Sequence, residues 1–124
     1  MNVASVSESF AGAPQVAPQF VVNSALANAE SGFVDVDRFT LRHVRSTSAF
    51  DVGIAGSTLN ARTMAAARKQ APIVAINALT QLDAKQPVAD YDGYVSCPLT
   101  VGRGKIVLTD FGYDGKLLPS FPKW

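Results

Sequence analysis

Cys97 is the one thiol among 124 residues, set in Tyr91-Asp92-Gly93-Tyr94-Val95-Ser96-Cys97-Pro98-Leu99. A cysteine can act as a nucleophile or redox centre when nearby positive charge or a helix terminus favours its thiolate. A lone cysteine in a strand can equally serve as a small, inert hydrophobe. A single thiol excludes an intrachain disulfide and any zinc site built on two or more thiolates, so no metal centre is expected and a reducing compartment is the default. His43 has no metal or triad partner at an informative spacing and reads as a solvated loop residue. Gly102 and Gly104 are followed by no helix, so a hairpin turn explains them better than a phosphate loop. Arg62 and Thr63 stand at the start of a helix, where unpaired N–H groups and the positive dipole end favour an anion or a carbonyl oxygen, as at any helix start. Asp90, Asp92, Asp110 and Asp114 flank β segments in the last third of the chain and read as a solvated strand edge.

The elements that would position these residues follow from periodicity and punctuation. Residues 1–19, rich in Ser, Ala, Gly and Pro, read as an extended or disordered lead-in. Residues 20–83 form the first organised segment. Within it, Phe20 to Val22 is strand-like, Phe33 to Asp37 alternates apolar and acidic residues with period two, and Ala49 to Ile54 reads as a buried strand ending at Gly53. A helix over 61–83 follows, with Asn60 as N-cap and an apolar stripe of Met64, Ala67, Ala71, Val74, Ala75, Ala78, Leu79 and Leu82. Pro72 should kink or divide it. After a linker over 84–91 that contains Pro87, residues 92–124 read as antiparallel β structure: Gly93 to Leu99, a turn at Gly102 to Gly104, a strand from Lys105 to Phe111, and a turn at Asp114-Gly115.

Composition narrows the function class. Eleven basic residues balance ten acidic ones, too even for a nucleic-acid-binding surface. The longest nearly apolar stretch, Ala71 to Leu79, is far shorter than the roughly 20 residues a membrane-spanning helix needs, so no transmembrane segment is expected. The N-terminus lacks the basic and apolar regions of a secretory signal, which leaves a cytoplasmic location as the expectation. One strand, loop and helix amount to half of a nucleotide-binding βαβ unit and cannot complete its sheet.

Taken together, the Tyr91 to Leu99 run, Gly102-Arg103-Gly104-Lys105, Phe111-Gly112-Tyr113-Asp114-Gly115-Lys116 and Ser120-Phe121-Pro122 resemble the C-terminal region of sulfide:quinone oxidoreductases. The stretch Arg62 to Pro72 resembles the helix that this family places against its flavin, and Gly32 to Asp37 and Thr40 to Arg45 follow its pattern in order. The resemblance runs from about Pro14 to Pro122. It implies an α/β fold, an incomplete FAD/NAD(P)-binding two-dinucleotide-fold flavoprotein, with one strand-loop-helix unit followed by a C-terminal antiparallel β segment. It also implies FAD as cofactor, sulfide and quinone as substrates, Cys97 as one of two redox cysteines, and Gly53, Arg62 and Thr63 as cofactor-binding residues. A position peripheral to the inner membrane goes with it.

The chain departs from the family pattern in several places. Ile54 stands where the family has an acidic residue that binds FAD hydroxyls, and Ile54 accepts no hydrogen bond. No GxGxxG follows an N-terminal strand, so the ADP half of the cofactor has no site in this chain. The second redox cysteine is missing. The chain also stops at Trp124, before the family's amphipathic C-terminal helices. The expectation is therefore a truncated flavoprotein that is inactive alone and depends on a second polypeptide for the ADP-binding half and the other cysteine. The alternative is a non-catalytic remnant or accessory domain that binds a partner chain.

Overall fold

A computed structural model describes residues 16–60 and 62–120. The first fifteen residues of the expected lead-in lie outside the described part. The described elements run helix, helix, hairpin: α1 (Gln19–Val22), α2 (Met64–Leu82), β1 (Val95–Gly102) and β2 (Lys105–Phe111), then a 3₁₀ turn over Tyr113–Gly115.

The chain is mixed α/β, but no strand-loop-helix unit forms among the described residues. Phe20 to Val22, expected as a strand, lies in α1, because Val21, Val22 and Asn23 donate back to Pro18 and Gln19 rather than to a neighbouring strand. The expected strands at 33–37 and 49–54 shrink to isolated bridges. Val34 pairs with Ala27 and, in parallel, with Gly56; Val36 pairs with His43; and Arg42 pairs with Phe50. A strand needs a neighbour along its length to satisfy alternate N–H and C=O groups. Here each short piece meets a different partner, so no ladder propagates. Val52 and Ile54 are exposed, not buried as expected.

Hydrogen bonds from side chains hold this irregular region together. His43 is 3% exposed rather than solvated. Its Nδ1 accepts from the Arg45 and Ser46 amides, at 3.1 and 2.9 Å, which leaves Nε2 to donate to the Leu26 carbonyl at 3.2 Å. Asp37 caps the next turn, accepting from Thr40 N at 2.8 Å and Thr40 Oγ1 at 2.9 Å. Leu41, fully buried at φ +60, completes that turn. The apolar cluster itself is small: Val21, Val34 and Val36, with Ala55 against them.

Helix α2 starts three residues later than expected. Thr63, in extended conformation, is its N-cap and accepts from Ala66 N at 3.2 Å, whereas the Asn60 side chain donates to Tyr91 Oη and Gly93 O. Pro72 lies inside a continuous helix and does not divide it. The face turned inward is Ala66, Gln70 and Asn77; of the expected apolar stripe, Ala67, Val74 and Ala78 are half-buried, whereas Met64 is 81% exposed, Leu79 65% and Leu82 84%. At 3.6 residues per turn these two faces lie nearly opposite each other.

The C-terminal hairpin follows the expectation closely. Its second strand has the expected bounds, and Gly104, at φ +70, makes the turn. The antiparallel register pairs Val95 with Phe111, Cys97 with Thr109 and Leu99 with Val107 on one face, and Ser96 with Asp110 on the other. Toward its tip, all of Lys105 to Leu108 is exposed. Asp110, expected at a solvated edge, is only 6% exposed. Its Oδ2 accepts from Ser120 N at 2.9 Å and ties down the returning chain.

Burial pushes the Asp110 carboxyl up, but hydrogen bonds involving Ser96, Ser120 and Tyr94 outweigh it and hold the group below the ordinary carboxylate value. A carboxyl depressed in the folded state contributes stability above its unfolded value and loses that contribution as pH falls through its folded value. Asp110→Asn is therefore expected to flatten the acid limb of the stability curve. Urea midpoints measured from pH 7 down to pH 3 check this; parallel acid limbs for the variant and the parent would contradict it.

Candidate functional site

Cys97 sits in the first half of β1, partly exposed. Strand pairing fixes its backbone, and Thr109 Oγ1 across the ladder donates to the Cys97 carbonyl at 2.6 Å. The thiol is therefore carried on a hairpin ribbon and is not sealed in an apolar core.

The base of that ribbon is tied to the rest of the chain by Tyr91. Its ring is almost wholly buried; its hydroxyl donates to the Tyr94 carbonyl and accepts from Asn60 Nδ2 at 3.0 Å. Burial pushes the Tyr91 phenol up, so it stays a neutral donor. Gly93, at φ +79, passes under the Tyr113 ring, where a Cβ would collide with ring atoms. Tyr113 stands edge-on to both Tyr91 and Phe39, with ring centroids 5.8 Å apart in each case, and donates its hydroxyl proton to the Arg38 carbonyl. The Lys69 ammonium, 5.1 Å from the Tyr94 ring centre, links α2 to the residue before β1.

Gly53, Arg62 and Thr63 gather at the N-terminal end of α2. Gly53 donates its amide to Gln70 Oε1 at 2.7 Å, and its own Cα would carry a Cβ to within 3.7 Å of Ala67. Arg62 lies over the Phe33 ring at 3.7 Å and donates from Nε to the Gly56 carbonyl at 3.2 Å. Asp51 is close to both. Burial pushes its carboxyl up, with the Gly56 amide and the Arg62 guanidinium acting the other way. Thr63 Oγ1 is occupied as the helix cap.

These groups do not by themselves fit FAD. The Gly53 amide and the Thr63 hydroxyl are engaged within the chain, and Ile54 presents an exposed alkyl group where a hydroxyl-binding acid would be needed. A cleft of about 460 Å³ lies elsewhere. Its walls include Arg38, Phe39, Asp90, Tyr91, Asp92 and Tyr113, and none of the four residues singled out from the sequence. No group of three or more His, Cys, Asp or Glu among the described residues is placed to hold a metal ion.

The residues that hold this region together are ones that sequence reasoning passed over. Gln70 and Asn77 break the apolar pattern of α2, and polar residues seven apart on one helical face were the available signal. Asn60 was read as a helix cap, and its true partners, Tyr91 and Gly93, carried no local signal because they lie 31 and 33 residues away in the chain.

Comparison with known proteins bears on what this arrangement is part of. No family model matches the chain. It is 37% identical over 110 residues to the mitochondrial sulfide:quinone oxidoreductase of Dictyostelium discoideum, covering 88% of this chain and 24% of that protein. It is 33% identical over 109 residues to the one from Mus musculus, with the same coverage, and 35% identical over 106 residues to the one from Schizosaccharomyces pombe. The chain thus spans about a quarter of the length of the curated relatives it matches. The fold also matches part of a chain in the cryo-EM structure of the Tetrahymena thermophila mitochondrial ATP synthase. That match has a TM-score of 0.75 and 27% identity, over 82% of this chain and 24% of that one. The chain is similar to one segment, about a quarter, of these sulfide:quinone oxidoreductases.

Proposed function

We propose that this sulfide:quinone oxidoreductase-like segment supplies Cys97 to a sulfide-oxidising flavoprotein whose FAD site and second cysteine lie on polypeptide outside it. The observation that carries this reading is the partly exposed Cys97, held by a regular hairpin inside the stretch of sequence shared with those oxidoreductases. FAD, when bound by the completed protein, would accept the electron pair from sulfide and pass it to quinone. Within this chain the work is structural and nucleophilic. The Tyr91, Asn60 and Gly93 contacts hold the base of the ribbon in place, and the ribbon presents a thiol able to form a sulfur–sulfur bond as its thiolate. No helix among the described residues is long and apolar enough to cross a membrane. The reading places the completed protein at a membrane surface, within reach of a membrane-held quinone.

The test is complementation. The chain is co-expressed with the Dictyostelium discoideum relative from which the matched 110 residues have been removed. Sulfide-dependent reduction of a soluble quinone is then followed for the pair and for each part alone. Turnover by the pair only is expected; a pair that binds flavin yet reduces no quinone on addition of sulfide overturns the reading. The second reading, a non-catalytic accessory domain bound to a partner chain, is favoured by a separate observation: the structural match belongs to a chain of an ATP synthase assembly. That reading predicts a stable complex without turnover.

A further inference from the structure

We infer that Thr109 sets the reactivity of Cys97: its hydroxyl, bonded to the Cys97 carbonyl while that side chain is a thiol, turns to the sulfur and donates to it once the thiol proton has left to solvent. The inference rests on the reading of Cys97 as the sulfur nucleophile and adds a second residue to that same site.

Strand register puts the two side chains together. Cys97 and Thr109 are directly opposed in the antiparallel ladder, below the irregularity between Thr100 and Gly102, so both project from the same face of the ribbon. The Cβ atoms of such a pair lie about 5 Å apart, and Sγ and Oγ1 each extend one bond further. The hydroxyl already reaches across the ladder, donating to the Cys97 carbonyl at 2.6 Å. Its proton is thus held beside residue 97.

Little else on that face can support a charged sulfur. Val95 and Leu99 on the same strand, and Phe111 and Val107 opposite them, carry no side-chain donor. Lys105 shares the face but stands at the hairpin turn, four residues from Thr109 and about 13 Å along the strand. Asp110 lies on the opposite face with Ser96, and Lys69 lies against the Tyr94 ring before the strand begins. Thr109 is therefore the side-chain donor beside the thiol. A hydrogen bond to an ionised group is stronger than one between neutral groups. A hydroxyl changes acceptor by rotation, and a step between the χ1 wells common in strands brings the sulfur toward it. In the neutral thiol that gain is absent, so the hydroxyl stays on the carbonyl. The exchange favours the thiolate, which is the form that attacks sulfur.

The experiment uses the full chain, whose one thiol makes alkylation a reading of Cys97 alone. Thr109→Val keeps the shape and the strand preference and removes the hydroxyl; Thr109→Ser restores it. At neutral pH the rate with iodoacetamide is expected to fall about fivefold for Thr109→Val, less than a fully buried charged bond would give because water reaches this side chain. Thr109→Ser is expected to react like the parent, and in urea above the unfolding transition all variants should react alike. A parent rate for Thr109→Val overturns the inference, as does a Thr109→Ser rate as slow as that of Thr109→Val, or a difference that persists in urea. Should Thr109→Val not fold, Thr109→Ala is measured in its place, and a parent rate for it overturns the inference equally. Slowed alkylation in Thr109→Val together with no quinone reduction by the complemented parent would sink the proposed function and leave the role of Thr109 standing; parent turnover and parent alkylation in Thr109→Val would do the opposite.

Discussion

Asn77→Ala is expected to remove a large part of the chain's folding stability. Asn77 is 0% exposed, and its amide meets four backbone groups. Nδ2 donates to the Thr40 and Ala89 carbonyls at 2.9 and 2.8 Å, and Oδ1 accepts from the Val88 and Ala89 amides at 3.0 and 2.9 Å. One side chain thereby joins three separate pieces: helix α2, the Asp37 to Leu41 turn, and the connection that leads to Tyr91. Truncation to Ala strands all four groups, and each buried group left without a partner costs roughly 1–3 kcal/mol. Some rehydration would relieve the outer ones, so a net loss of about 4 kcal/mol is the expectation. That approaches the lower end of the roughly 5–15 kcal/mol total stability of a small domain. A large fall in the urea midpoint, followed by helical circular dichroism, measures the effect. A midpoint within experimental error of the parent would show that α2 is held by its apolar contacts after all. Asn77→Asp sharpens the test, because it keeps the acceptor, removes both donors and adds a charge with no cationic partner described nearby.

The second large effect concerns chemistry. In the complemented pair, Cys97→Ser is expected to reduce sulfide-dependent quinone reduction to the rate without protein, with the amount of complex unchanged. Serine keeps the size and the strand backbone, including the Thr109 hydroxyl bond to the residue 97 carbonyl. What it removes is the sulfur nucleophile that forms sulfur–sulfur bonds. A side chain that is partly exposed contributes little to packing, so assembly should not suffer. Full turnover by the serine variant would eliminate Cys97 as the sulfur-handling residue. An accessory domain would be indifferent to the change in every readout, so the same variant separates the two functional readings.

These two residues also mark how far the sequence can be read. The hairpin was legible to within a few residues. A strand run from Lys105 to Phe111 set off by a glycine-bearing turn is local information, and the ladder that forms pairs residues close together in the chain. The existence of α2 was legible for the same reason. Its orientation was not. Periodicity identifies an apolar stripe but not what lies opposite it. The inner face is set instead by Gln70 and Asn77, whose partners at Gly53, Thr40 and Ala89 only the folded chain brings near. His43 and Asp110 were misread on the same grounds. A polar residue beside a turn or at a strand end looks solvated until the backbone turns back over it.

Amino-acid order alone determined the presence and place of the long helix, the hairpin with Cys97 on its first strand, and the resemblance to sulfide:quinone oxidoreductases, because each depends on residue types at short, fixed spacings. Tertiary structure alone decided that the helix turns its amides inward and its Leu and Met side chains out, that the expected strands at 33–37 and 49–54 do not propagate, and that the presumed cofactor groups are spent on internal bonds. Those outcomes depend on which distant backbone groups compete for each donor and acceptor, a competition settled only when the chain is closed up in three dimensions.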